Sequence, residues 1–209
     1  MSEAVDDTVR AYDLDAEAYA GGGTHVPDSV RADIEEFAAT IGTAARVLEI
    51  GSGGGRDARR MAELGLDVRR TDITPAFVTL LRQQGHGCDL IDPLVDDLSS
   101  SEGPYDAVWA NASLLHVARR DLPTVLSRLA AVTRDGGLLR LSVKEGDGEG
   151  WSTHGSIRNP RHFTYWRAPA LEGVAAGVGW SGVSIRSGVA GKRGETWLEL
   201  TAVRRSVAG

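Results

Sequence analysis

Val47-Leu48-Glu49-Ile50-Gly51-Ser52-Gly53-Gly54-Gly55-Arg56-Asp57 decides the fold of this chain. A short apolar run stops at a glycine-rich turn, and helix-compatible sequence follows from Asp57. Glycines at a strand-to-helix turn have no Cβ to hold a ligand off the main chain, so nucleotide-like ligands bind at such turns. Asp72 stands 21 residues beyond Gly51, at the end of the next apolar segment. A doubly wound sheet places a ribose-binding carboxylate there. Together the turn and the acid read as an adenosyl cofactor site.

Spacing narrows the choice of cofactor. A dinucleotide fold wants Gly-x-Gly-x-x-Gly, and counting from Gly51 the third position is Arg56. Glu49, two residues before the first glycine, would also face a pyrophosphate there. An acid in that place suits a cationic ligand better.

Outward from this loop, strands and helices alternate. Strands are expected at 46–50, 68–72, 87–90, 105–110 and 137–143, and helices at 57–65, 75–84 and 121–133. Pro75 marks a helix start, while Gly65 and Gly85 mark helix ends. The alternation predicts an α/β, Rossmann-like, doubly wound, mostly parallel sheet. Two helices, 4–19 and 28–41, form an N-terminal helical cap, and helix 167–178 precedes a terminal hairpin of segments 181–189 and 195–203. One domain is expected over 1–209, comprising a cap (1–43), a cofactor-binding core (44–143), a substrate lid (144–166), and the terminal helix and hairpin (167–209).

Bulk properties exclude several classes. A net charge of -6 offers no general field for a polynucleotide, so no nucleic acid partner is expected. No apolar run nears the length of a membrane span, the amino terminus is acidic rather than signal-like, and Cys88 is the lone cysteine. A cytoplasmic protein, monomer or homodimer, without a membrane partner is expected. No clean metal-ligand cluster is evident, so no metal is expected.

Glu-x-Gly-x-Gly-x-Gly over 49–55 resembles the first motif of class I S-adenosylmethionine-dependent methyltransferases of the small-molecule type. Asp72-Ile73 resembles the family's ribose step, Cys88-Asp89-Leu90 its adenine segment, and Asp106 to His116 its strand-four motif. Gly136-Gly137-Leu138-Leu139 looks like the turn into strand five, so that the resemblance spans roughly 44–203. It implies a seven-stranded sheet with an antiparallel terminal strand, S-adenosyl-L-methionine as cofactor, and transfer of a methyl group to a small-molecule acceptor whose reacting atom stays open.

Carried onto this chain, the resemblance assigns the methionine end to Glu49, Gly51, Ser52 and Gly53, the ribose to Asp72 with Ile73, and the adenine to Asp89 and Leu90. Asn111, Ala112 and Ser113 then line the cofactor tail. Arg56, paired with Asp57, is either a cofactor contact or half of a surface pair at a helix start. Tyr12 and Tyr19, seven residues apart, share a helix face that closes over the site or packs in the core. His116 is a general base or a packed ring near the cofactor. Within the lid, Lys144, His154, Arg158, Arg161 and Tyr165 offer cations and rings to an anionic or planar acceptor. Asn111-Ala112-Ser113-Leu114 lacks an amide-clamping tetrad and so points away from nucleobase amino groups. A nicotinamide-dependent oxidoreductase, or a S-adenosylmethionine-binding protein that transfers no methyl group, are the alternatives.

Overall fold

The computed structural model describes residues 3–22, 25–153, 157–190 and 194–206. Helices α1 (Glu3–Gly22) and α2 (Asp28–Ile41) precede β1 (Arg46–Ile50), α3 (Arg56–Glu63), β2 (Asp67–Asp72), α4 (Pro75–Gln83) and β3 (Asp89–Leu90). Then come β4 (Tyr105–Asn111), a 3-10 turn at Leu114–His116, α5 (Leu122–Val132) and β5 (Thr133–Lys144). The chain ends with β6 (Glu149–Ser152), β7 (Arg161–Thr164), α6 (Ala168–Gly177), β8 (Trp180–Ala190) and β9 (Glu195–Arg204).

Seven strands form one sheet in the order β3-β2-β1-β4-β5-β9-β8. The first five run parallel, and β9 pairs antiparallel with both β5 and β8. Strand order therefore reverses between β1 and β4, where such sheets open a crevice beyond their carboxyl ends.

Alternation along the central strands explains why both faces are covered. Val47, Ala107 and Trp109 point to a cluster with Ile34 and Phe37 of α2 and Met61 of α3. Their neighbours Leu48, Ile50, Val108 and Ala110 point the other way, into the larger cluster built on α5, α6 and β9. A strand buried on both sides needs a nearly continuous apolar run, and β1 departs from it only at Arg46 and Glu49.

Two expectations change. Strand β5 begins at Thr133, ahead of Gly136-Gly137, because its pairing with β4 shifts register between Tyr105 and Ala107. The segment 144–166, which has no apolar period, contains the antiparallel pair β6–β7. These short strands pair through the main chain, and their pattern lacks the repeat that a half-buried strand imprints. His154 lies outside the described residues, as do 191–193 of the expected terminal turn.

Helix α1 is held down at several points. Asp13 Oδ1 accepts from Ala76 N at 2.8 Å, occupying an otherwise unpaired donor at the start of α4. Asp15 accepts from the main chain and guanidinium of Arg158 at 2.6–2.9 Å. Thr8 Oγ1 accepts from His162 N at 2.9 Å. These contacts lay α1 across the carboxyl ends of the strands.

Candidate functional site

Between β1 and α3 the chain turns through positive φ at Gly51 (79°), Gly53 (52°) and Gly55 (72°). The reason differs at each step. A Cβ on Gly51 would lie 2.4 Å from Ser113 Cβ, so the loop after β4 can reach the first strand only over a bare main chain. At Gly53 the nearest atom would be a Tyr19 ring carbon at 3.7 Å, which leaves conformation as the sole demand. Gly53→Ala is expected to cost about 1 kcal/mol from the left-handed backbone alone, and Gly51→Ala distinctly more, because clash adds to strain. Paired urea titrations of the two variants check the order.

Asp72 ends β2 buried, its Oδ2 accepting from Gly53 N and its Oδ1 from Thr74 N, each at 2.8 Å. Burial raises its pKa, opposed by these main-chain donors. Each carboxylate oxygen still has a lone pair for another donor, and Asp72 lines the cavity beside Ile73.

Glu49 is 2% exposed. Burial first, and the nearby Asp57 charge second, push its pKa up to about 8, against the opposing effect of its Ser52 hydroxyl donor. It lines a polar compartment with Ser52, Arg56, Asp57 and Asn111. Asp57 is not a surface acid: it is 7% exposed and accepts from Asn111 Nδ2 at 2.8 Å, Trp109 Nε1 at 3.2 Å and Arg56 Nε at 3.1 Å. Ser142 Oγ donates to Asn111 Oδ1 at 2.6 Å and accepts from Ala112 N at 2.9 Å, holding Ala112 at φ 53°. Ser113 Oγ, also on the cavity wall, is buried without a protein partner.

A second, more apolar compartment runs from Asp72 and Ile73 past Phe77 and Leu94 to Val5 and Val9 of α1. Both compartments share Tyr19, Gly51, Gly53 and Ala112, so they form one bent cavity around the glycine loop. Of the residues singled out from sequence, Tyr12, Tyr19, Glu49, Gly51, Ser52, Gly53, Arg56, Asp72, Ile73, Asn111, Ala112, Ser113 and His116 all line it.

Asp89 and Leu90 do not. Asp89 Oδ2 accepts from Arg69 Nε at 2.8 Å, and Leu90 is 53% exposed. The chain continues through Ile91, whose N–H bonds Asp72 O, before turning into the cavity at Ile91 and Asp92. The cavity is met one residue beyond the end of this two-residue strand, a boundary too short to show in sequence.

The lid residues are corrected likewise. Lys144 Nζ donates to Glu195 at 2.8 Å beneath the Phe163 ring, and Arg158 is spent on Asp15. Tyr165 stacks on Phe163. Arg161 NH1 donates to Tyr12 Oη at 3.1 Å from behind the cavity wall. None of these four lines the cavity. Sequence shows that these cations exist, but their acidic partners come from distant segments.

His116 Nδ1 lies 2.6 Å from His162 O, and its Nε2 lies 3.0 Å from Tyr12 Oη. Burial lowers its pKa to about 3, with the His162 carbonyl opposing. Its ring is neutral near pH 7, and both nitrogens are engaged. That geometry suits a positioning residue and not a proton acceptor.

The comparisons agree with this geometry. Residues 47–137 match the family model described as methyltransferase domain. A ubiquinone biosynthesis O-methyltransferase of Xanthomonas axonopodis pv. citri is 35% identical over 104 residues, covering 47% of this chain and 43% of that protein. The chain thus matches less than half the length of that relative. Among solved structures, the 1,6-didemethyltoxoflavin-N1-methyltransferase of Burkholderia thailandensis, with bound 1,6-didemethyltoxoflavin and S-adenosylhomocysteine, superposes with a TM-score of 0.71. The match has 22% identity over 95% of this chain and 88% of that one. The cyclase SpnF superposes with a TM-score of 0.70 at 16% identity over 95% of both chains. At such identities the likeness is one of fold. In its glycine loop, its strand order and the matched segment 47–137, the chain is thus similar to methyltransferase-domain proteins.

Proposed function

We propose that this chain binds S-adenosyl-L-methionine and transfers its methyl group to a small-molecule acceptor. The observation that carries the reading is the bent cavity, acidic and polar at one end around Glu49 and Asn111, with the buried carboxylate of Asp72 at the other side of the glycine loop. A ligand with an ammonium-carboxylate end, a ribose diol and an adenine matches that order of groups. Bound there, the cofactor supplies a methyl carbon already activated by a sulfonium, with a neutral thioether as leaving group.

The protein's part is chiefly binding, alignment and exclusion of water. Glu49 would hold the ammonium, with the Arg56 guanidinium beside it for the carboxylate, since Ser52 N and Gly53 N already donate to Thr71 O and Asp72 Oδ2. Asp72 would accept from the ribose hydroxyls. Asp92 replaces Asp89 as the acid available to the adenine amine, beside Ile73. Ser113 Oγ, buried and unpartnered, would gain a partner at the cofactor tail. Helix α1 closes the site with Tyr12 and Tyr19, and such alignment contributes as much as roughly 7–11 kcal/mol to displacement reactions.

A single domain over 1–209, acting in the cytoplasm as a monomer or homodimer, fits this role. Among the described residues no helix is long and apolar enough to cross a membrane. Titration calorimetry with S-adenosylmethionine, S-adenosylhomocysteine and reduced nicotinamide dinucleotide tests the cofactor. Mass spectrometry of reactions with isotope-labelled S-adenosylmethionine and cell extract tests the transfer. Micromolar binding of the two sulfur compounds and a labelled methyl product are expected; preference for the nicotinamide would overturn the reading. A second reading, cofactor binding without transfer, has as its mark tight binding with no labelled product.

A further inference from the structure

Resting on that reading, the acceptor's chemical class follows from the polarity of one hydrogen-bond chain. Arg161 NH1, which can only donate, lies 3.1 Å from Tyr12 Oη. At the far end, the carbonyl of His162, which can only accept, lies 2.6 Å from His116 Nδ1. The hydrogen on His116 therefore sits on Nδ1, and Nε2 is a bare lone pair facing Tyr12 Oη at 3.0 Å. Tyr12 gives its one hydroxyl hydrogen to that nitrogen. What the phenol oxygen has left is a lone pair, so it can accept but cannot donate.

The charges around this oxygen point the same way. Among the described residues, the apolar compartment that holds Tyr12 and His116 is lined by no lysine or arginine; of its three acids, Asp72 and Asp92 serve the cofactor and Asp121 is left for the acceptor to meet. Arg161 stays behind the Tyr12 ring, its guanidinium carbon 5.3 Å from the ring centre. Val5, Val9, Leu94 and Val117 are among its apolar lining. An anionic acceptor would meet Asp121 and no cation in the lining itself, at a high desolvation cost. An acceptor with a hydrogen to give gains a bond to the remaining lone pair of the phenol oxygen, and one without it gains none.

We infer that the acceptor is a non-anionic, largely apolar molecule that presents an O–H or N–H to Tyr12 Oη, and that Tyr12, held by Arg161 and His116, selects for it. Tyr12 is thereby a specificity-determining residue, and His116 positions it.

The test uses three probes of one frame, 2-naphthol, 2-methoxynaphthalene and 2-naphthoate, with affinities read by ligand-observed NMR on protein loaded with S-adenosylhomocysteine. Naphthol is expected to bind at least tenfold tighter than either of the others, and Tyr12→Phe to remove its advantage over the methoxy compound. Naphthoate binding as well as naphthol, equal binding of naphthol and its methyl ether, no binding by any of the three, or a preference unchanged in Tyr12→Phe would each overturn the inference. Loading is measured first by calorimetry. If S-adenosylhomocysteine itself does not bind, the cofactor reading falls, and the acceptor inference falls with it; if it binds and the naphthol preference is missing, the acceptor inference alone falls.

Discussion

Replacing Asp72 by alanine is expected to weaken S-adenosylmethionine binding about a hundredfold, ~2.7 kcal/mol. Two losses combine. The ribose diol forfeits hydrogen bonds to a charged acceptor, each worth about 1.5–3 kcal/mol. The glycine loop also forfeits its anchor, because Gly53 N and Thr74 N donate to the two oxygens of this one carboxylate. Asp72→Asn separates the two effects: its single amide oxygen keeps one main-chain donor and turns an NH2 towards the other. An intermediate loss is expected for Asn, and calorimetric titration of both variants decides. Unchanged affinity in Asp72→Ala would remove the ribose assignment.

Glu49→Gln is expected to move stability and cofactor affinity in opposite directions. The carboxyl is buried against Asp57, and its pKa rises from 4.5 to about 8 in the folded protein. A carboxyl raised in this way binds its proton more tightly folded than unfolded. Its contribution is therefore intact below about pH 4.5 and is lost as pH rises towards 8. Each pH unit in that window costs about 1.4 kcal/mol, on the order of 3 kcal/mol by pH 7. Glutamine has no proton to lose, so the ligand-free variant should melt roughly 5–10 °C higher near pH 7 and match the parent near pH 4.

Affinity should fall, since the ammonium of the cofactor then meets a neutral amide in place of a carboxylate. A loss of about a hundredfold corresponds to ~2.7 kcal/mol. In the parent protein, binding near pH 7 must expel the Glu49 proton, so affinity should rise with pH until about 8. Calorimetry in buffers of different ionisation enthalpy reads that proton directly. A variant no more stable than the parent, or one that binds the cofactor equally well, would contradict the account.

How far this site is legible in sequence depends on the range of the interaction that places each residue. Gly51, Gly53 and Asp72 are legible because a strand end, a turn and a crossover distance are local quantities. Asp57 reads ambiguously, since it meets Trp109 and Asn111 more than fifty residues away. Asp89 misleads, because the chain meets the cavity only beyond β3, at Ile91 and Asp92, while the Asp89 carboxylate pairs with Arg69. The lid cations mislead for a related reason. Composition shows their charge, while Asp15 and Glu195, which neutralise Arg158 and Lys144, arrive from opposite ends of the chain.

Sequence by itself determined the alternation of strands and helices, the bare turn after β1 and the acid after β2, because the periodicity of apolar residues and the conformational range of glycine act over a few residues. Only the tertiary structure decided which acids face the cavity, that His116 is a neutral partner of Tyr12, and that the apolar compartment beside them is lined by no lysine or arginine among the described residues. Those outcomes rest on burial and on hydrogen bonds between α1, the turn after β4 and β7. Such contacts exist only once segments far apart in the chain have been packed together.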